Sequence, residues 1–175
     1  RPETTCPSGL INFQRAVMSP ASDVGNVTEL EALSPKARDL LHQIVEYSGP
    51  MPLERAVKLT ASAFGLSVVR DAKLAKLTRL VKTEQVITTE FGAFVFPSET
   101  VGDSQVLDSF TWFRKSTSSV RRVQDIAPHE LANLFVALVR HGFSMSRDEL
   151  VQESLTFLGY NRKTGDTSDF VHRVI

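Results

Sequence analysis

From Leu33 onward the chain alternates apolar and polar positions with helical spacing. In "SPKARDLLHQIVEY" the apolar residues Leu40, Leu41, Ile44 and Val45 fall on one helical face. Ser34 suits the N-cap and Pro35 the first helical position, where a missing N–H loses nothing. Gly49-Pro50 ends that helix. "LERAVKLTASAFG" predicts a second helix, with Leu53, Ala56, Val57, Thr60 and Phe64 near one face and Gly65 as its stop. "RDAKLAKLTRLVK" predicts a third, with Leu74, Leu77, Leu80 and Val81 as its buried stripe. The period then changes. "QVITTEFGAFVFP" is β-branched and aromatic around Glu90-Phe91-Gly92, the pattern of a two-stranded hairpin.

Three helices followed by a hairpin is the element order of a winged helix, with the third helix as groove reader and the hairpin as wing. A small α+β domain of no particular function is the plainer alternative. Before this region, residues 1–33 have the Pro, Ser, Gly and Asn content of a linker or N-terminal extension, with a short strand or helix around "LINFQRAV". After it, residues 98–125 form a connecting segment, in which "VLDSFTWFRKS" has the makings of a strand. Helical spacing returns at "IAPHELANLFVALVRHG", with Pro128 and Glu130 in the first turn. "SMSRDELVQESLTFLG" has Ser146 and Glu149 at capping-box spacing, and "NRKTGDTSDFVHRVI" predicts a last helix.

The second set of helices echoes the first. Met51 aligns with Met145 and Gly65 with Gly159, an offset of 94 (145 − 51) without a gap. Identities are few, but the exchanges are conservative: Ile44 with Leu138, Glu54 with Asp148, Thr60 with Ser154, Phe64 with Leu158, Leu77 with Val171 and Val81 with Ile175. Such a repeat implies repeated structural units. The expected fold is therefore mainly α with a small β-hairpin, an α+β chain of two tandem winged-helix-like modules. The first covers 34–97; the second covers 126–175 and either lacks a wing or has one beyond Ile175.

The phrases "LLHQIVEYSGPMPLERAVKLTASAFGL", "FGAFVFP" and "VRRVQDIAPHELANLFVALVRHGFSMSRDELVQESLTFLGYNR" carry a resemblance. Together they resemble a bacterial C-terminal domain, domain of unknown function 3320, over about Leu33 to Ile175. That pattern runs from a helix into a "GP" turn, an apolar strand, an Arg-bearing link, an "I-x-P-x-E" helix start and a "D-E-L … LG" ending. Val68-Val69 depart from it where a basic residue and Gly are usual, and Lys163 to Asp166 form a divergent loop. Proteins with this domain carry a superfamily 1 helicase motor upstream, often with a restriction-endonuclease-like domain related to very-short-patch repair nucleases. The resemblance thus implies a DNA-processing, ATP-dependent context in a bacterial cytoplasm, and assigns no activity to this region.

Composition narrows the remaining choices. The 175 residues are 42% hydrophobic, enough for a core. Lys plus Arg is 20 and Asp plus Glu is 20, so binding to nucleic acid must use a local basic patch. The single Cys6 excludes an internal disulfide and a Cys-based zinc finger. No apolar run reaches the ~18 residues a membrane helix needs. The start "RPETTCPSGL" has neither an initiator Met nor a signal-peptide pattern, so the chain reads as a piece of a longer protein or a processed one.

Catalytic motifs are not evident. There is no G-x-x-x-x-G-K-[ST] phosphate loop, no G-x-S-x-G elbow and no zinc-ligand spacing among His42, His129, His141 and His172. Asp103 and Asp108 lack a partner strand for a nuclease site. The expectation is a non-enzymatic accessory region of a larger protein, with no cofactor, no metal, no small-molecule substrate and no membrane contact. DNA and other domains of the same polypeptide are its expected partners.

Two basic clusters are the candidate contacts. Lys73, Lys76, Arg79 and Lys82 recur along the third helix, and at about 100° per residue Lys76, Arg79 and Lys82 fall opposite its apolar stripe. That face is either solvated or a phosphate contact. Arg114, Lys115, Arg121 and Arg122 form the second cluster beside Trp112 and Phe113, where Trp112 either stacks on a base or belongs to the core. The alternative function is protein docking, since a winged helix also serves as an interface.

Overall fold

A computed structural model of the chain describes residues 10–13, 34–66, 74–75, 77–81, 85–101, 110–116, 121–142, 144–160 and 164–175. Among them are five α-helices and five short strands, with a three-stranded antiparallel sheet, so the fold is α+β and mainly helical. The chain divides into two compact units. One is continuous, Arg15–Ser109; the other is split, joining Arg1–Gln14 to Phe110–Ile175. This division differs from the sequence-based partition: strand β1 (Leu10–Phe13), within the short strand or helix expected around "LINFQRAV" in the linker or N-terminal extension, belongs to the same unit as Phe110–Ile175.

In the continuous unit, α1 (Ser34–Ser48) begins beside Pro35 as expected and buries Ala37, Leu41, Ile44 and Val45. Its end requires a glycine. Gly49 N donates to Val45 O at 2.8 Å, and a Cβ at Gly49 would stand 2.5 Å from that same oxygen. A two-residue strand, β2 (Met51–Pro52), follows and leads directly into α2 (Leu53–Ala63), which buries Ala56, Val57, Thr60 and Ala61. Gly65 closes α2 at a φ of 81°, where only glycine rests without strain. Leu66 N donates to Ala61 O at 3.0 Å and Gly65 N to Ser62 O at 3.0 Å, the paired bonds of a Schellman stop.

Of the expected third helix, Leu74, Ala75 and Leu77 are helical and Thr78–Leu80 is a 3-10 turn. Leu77 and Val81 are buried with the two preceding helices. Strands β3 (Val86–Thr89) and β4 (Gly92–Val95) then form the expected hairpin, with Glu90 and Phe91 at its turn. β4 is central, paired with β3 on one side and with β2 on the other through Met51↔Val95. Phe94, Val95 and Phe96 are the buried end of the hairpin.

In the split unit, β1 pairs in parallel with β5 (Phe113–Ser116), Leu10 opposite Phe113. Three helices follow: α3 (Pro128–Gly142), α4 (Arg147–Phe157) and α5 (Gly165–Val174). The Ser146–Glu149 capping box is formed in both directions, Glu149 N to Ser146 Oγ at 3.3 Å and Ser146 N to Glu149 Oε2 at 2.7 Å. Leu131, Leu134, Val151, Leu155 and Val171 make the core, with Phe113 of β5 packed among them.

The helix bounds repeat at the offset of 94. Ser34–Ser48 corresponds to Pro128–Gly142 and Leu53–Ala63 to Arg147–Phe157. The stops correspond too: Gly159 has a φ of 88°, Tyr160 N donates to Leu155 O at 2.9 Å and Gly159 N to Thr156 O at 3.1 Å. Val57 and Val151, Ala61 and Leu155, and Leu77 and Val171 are buried pairs at equivalent positions.

Candidate nucleic-acid interface

The basic face of the continuous unit is described at one position. Arg79 is exposed in the 3-10 turn Thr78–Leu80, between buried Leu77 and Val81. A residue two beyond one buried position and two before another points away from the core, so the helical geometry leaves this guanidinium in solvent. Lys73, Lys76 and Lys82 lie outside the described residues. The hairpin turn presents Glu90, also exposed, and a carboxylate there repels phosphate.

The hairpin is fixed to α1 by one carboxylate. Glu46 Oε1 accepts from Gln85 Nε2 and from Ser98 N, each at 2.8 Å. Gln85 Nε2 also donates to Phe96 O at 3.2 Å, and Phe96 N donates to Gln85 O at 3.0 Å. Both ends of the hairpin are therefore tied to the last turn of α1. Sequence reading missed Glu46 and Gln85; a glutamate just after the apolar run of α1 reads as an ordinary exposed acid.

The second basic cluster does different work from that expected. Arg114 and Arg121 are only 4% and 8% exposed, and both turn inward onto Glu130, which is 1% exposed. Glu130 Oε1 accepts from Arg114 N at 2.9 Å, from Arg114 Nε at 3.1 Å and from Arg121 Nη2 at 2.7 Å. Glu130 Oε2 accepts from Arg114 Nη2 at 2.8 Å and from Arg121 Nη1 at 3.1 Å. Arg121 Nη2 also donates to Arg114 O at 2.8 Å. Burial by itself raises the Glu130 carboxyl, but the charges of Arg114 and Arg121 and their hydrogen bonds outweigh it and hold the group at about 2. The carboxylate stays ionised and joins β5, the segment before α3 and α3 itself.

Arg114 and Arg121 are thus structural and not offered to a phosphate, which corrects the sequence expectation. The physical reason is that a buried Glu needs bidentate partners, and two arginines within reach supply them. The signal was Glu130 in the first turn of an amphipathic helix, just before the core residue Leu131. Arg122 is exposed, its side chain 76% accessible, and it makes a two-pronged pair with Asp125 at 2.9 Å through both Nε and Nη2. Lys115 is exposed and lies 5.2 Å from the centre of the Phe157 ring. Trp112 is half-buried, edge-on to Phe110 at 4.7 Å, with Arg114 over its ring at 5.6 Å. That ring is part of the packing around β5.

Further polar ties hold the same corner. Asn133 Nδ2 donates to Phe110 O at 2.9 Å and to Trp112 O at 3.1 Å. Tyr160 Oη donates to Arg121 O, and burial pushes its hydroxyl up to about 12. Among the described residues, no group of three or more His, Cys, Asp or Glu is placed to hold a metal ion, and no helix is long and apolar enough to cross a membrane. Asp103 and Asp108 lie outside the described residues. Compared with protein-family models, curated proteins and solved structures, the chain finds no match.

Proposed function

We propose that the chain is a non-catalytic accessory region of a larger DNA helicase- or nuclease-type protein, and that its continuous unit holds nucleic acid as a winged helix does. The observation that carries this reading is the succession α1, β2, α2, a third helical segment, β3 and β4, with the sheet order β2-β4-β3. In a winged helix that succession sets the third helix beside the hairpin, so that one enters a groove while the other lies along the backbone. Exposed Arg79 lies on the segment that would face the duplex. The resemblance to domain of unknown function 3320 supplies the cytoplasmic, ATP-dependent DNA-processing context.

Binding of this kind reads phosphates and not bases, which suits a module that must accept any sequence. Its test is a titration of the chain with unrelated DNA duplexes at several salt concentrations. Replacing Lys76, Arg79 and Lys82 with Ala together should weaken binding about equally for every duplex. The slope of log affinity against log salt should fall by roughly one unit for each phosphate no longer neutralised. A triple variant that binds like the parent overturns the reading. So does a parent that fails to bind at low salt. Protein docking then takes its place, a reading favoured by the exposed Val136 and Val139 on α3.

A further inference from the structure

The β3–β4 hairpin has the wrong charge for a wing that lies along phosphates. After Lys82 the sequence holds no Lys, Arg or His until Arg114, while Glu84, Glu90 and Glu99 fall within and beside the hairpin. Exposed Arg79 can neutralise a phosphate, but the hairpin adds no positive charge to it. Its turn carries a carboxylate, which holds a phosphate off.

The turn is nevertheless firmly built. At one end the hairpin is anchored: Phe94, Val95 and Phe96 are at most 2% exposed, and Glu46 of α1 takes the Gln85 and Ser98 bonds. At the other end Thr89↔Gly92 is the last pair, and Glu90 and Phe91 make the turn. One hydroxyl fixes its backbone. Thr89 Oγ1 accepts from Phe91 N at 3.1 Å and donates to Gly92 O at 3.0 Å. Glu90 and Gly92 are exposed on either side of half-buried Phe91. A Cβ at Gly92 would meet no atom of the described residues within 4 Å, its chain neighbours aside, so the tip borders open space. The hairpin thus holds an aromatic ring, with a carboxylate beside it, at the end opposite its anchor.

Those two groups suit bases. An aromatic ring stacks on a base of any kind, and a carboxylate accepts from an exocyclic amine such as that of cytosine. In continuous duplex the neighbouring bases cover each base face, and opening the stack costs free energy. A free face occurs where the strands part. We propose that the Glu90–Phe91 tip contacts the first unpaired base at a junction of double- and single-stranded DNA, with Phe91 stacked on that base. This deepens the nucleic-acid reading and rests on it: the third helical segment holds the duplex by its phosphates, and the tip meets the base where the duplex ends. The substrate class is then a duplex with a single-stranded branch.

The test measures binding of the whole chain to two DNAs with the same duplex. One is blunt; the other has a single-stranded extension with 2-aminopurine at its first unpaired position. The parent should bind the branched DNA about tenfold more tightly, within what one aromatic–base stack supplies, and should quench the 2-aminopurine. Phe91→Ala should erase both effects while blunt-duplex affinity and its salt dependence stay as in the parent. Phe91→Tyr, which keeps a ring, should retain them. An abasic first unpaired nucleotide should erase the preference with the parent protein, a loss that no unfolding of the hairpin can produce. A parent that binds both DNAs equally overturns the proposal and leaves duplex binding standing. A preference that survives Phe91→Ala or the abasic nucleotide also overturns it, assigning the gain to the phosphates of the extension. A parent that binds neither DNA at low salt removes the nucleic-acid reading itself, and the proposal with it.

Discussion

The continuous and split units carry the same helical phrase and complete it with different additions. In the continuous unit the addition comes after the helices: a hairpin closes on the C-terminal turn of α1 through Glu46 and Val45. In the split unit the described addition comes before them. Strand β5 with its parallel partner β1 is fixed to the N-terminal turn of α3 through Glu130. Two paired helices with a glycine stop bury too little apolar surface to stand alone, so each copy needs a further layer, but the layer can be attached at either end. Position 46 and position 130 show how. Each is a glutamate on the first long helix of its unit, each accepts backbone and side-chain donors from the added layer, and they sit at opposite ends of equivalent helices.

The largest expected effect separates the two layers. Glu130→Ala removes the carboxylate that two buried guanidiniums share and should destabilise the split unit by about 3–5 kcal/mol. Hydrogen exchange should show α3, α4 and α5 opening while α1 and α2 stay protected; loss of both units together would refute their independence. The acid response follows from the same group. Its folded carboxyl is held at about 2, below its ordinary 4.5, so its contribution is complete above 4.5 and lost as pH falls from there towards 2. Glu130→Gln should remove that dependence from the acid unfolding curve of the split unit.

Next in size is a pair of matched core cuts. Val57→Ala and Val151→Ala should each cost about 1–3 kcal/mol, from forfeited transfer energy at roughly 0.8 kcal/mol per buried methylene plus the cavity left behind. Denaturant unfolding followed by a reporter in each unit should show similar penalties in separate transitions. Very unequal penalties would mean that equivalent positions on the chain are not equivalent in packing. The smallest effect belongs to the stops. Gly65→Ala and Gly159→Ala each place a Cβ in the left-handed region and should cost about 1 kcal/mol. A cost at one stop and none at the other would break the correspondence of the two Schellman turns.

Much of this architecture was legible in the sequence because it is local. Gly65 and Gly159 stop their helices through bonds that reach back only a few residues. The Ser146–Glu149 box spans one helical turn, and the β3–β4 hairpin needs only its alternation and the Gly92 turn. The offset of 94 was legible for the same reason, since the same local signals recur in the same order. Lys76 and Lys82 remain expectations, while exposed Arg79 follows from helical period alone.

Other features depended on contacts between distant parts of the chain. The segment around "LINFQRAV" reads as a short strand or helix; that it is strand β1, paired in parallel with β5 about a hundred residues away, has no local signal in a four-residue segment. Arg114 and Arg121 read as surface cations because an arginine is usually exposed; only the arrival of α3 puts Glu130 between them and makes burial favourable. Val45 and Val139 are the same residue in the same helical phrase. The sequence by itself determined that both stand on an apolar face. Whether that face is covered was decided by the tertiary structure, because burial depends on what packs against a residue from elsewhere in the chain: a hairpin meets Val45, and nothing among the described residues does the same for Val139.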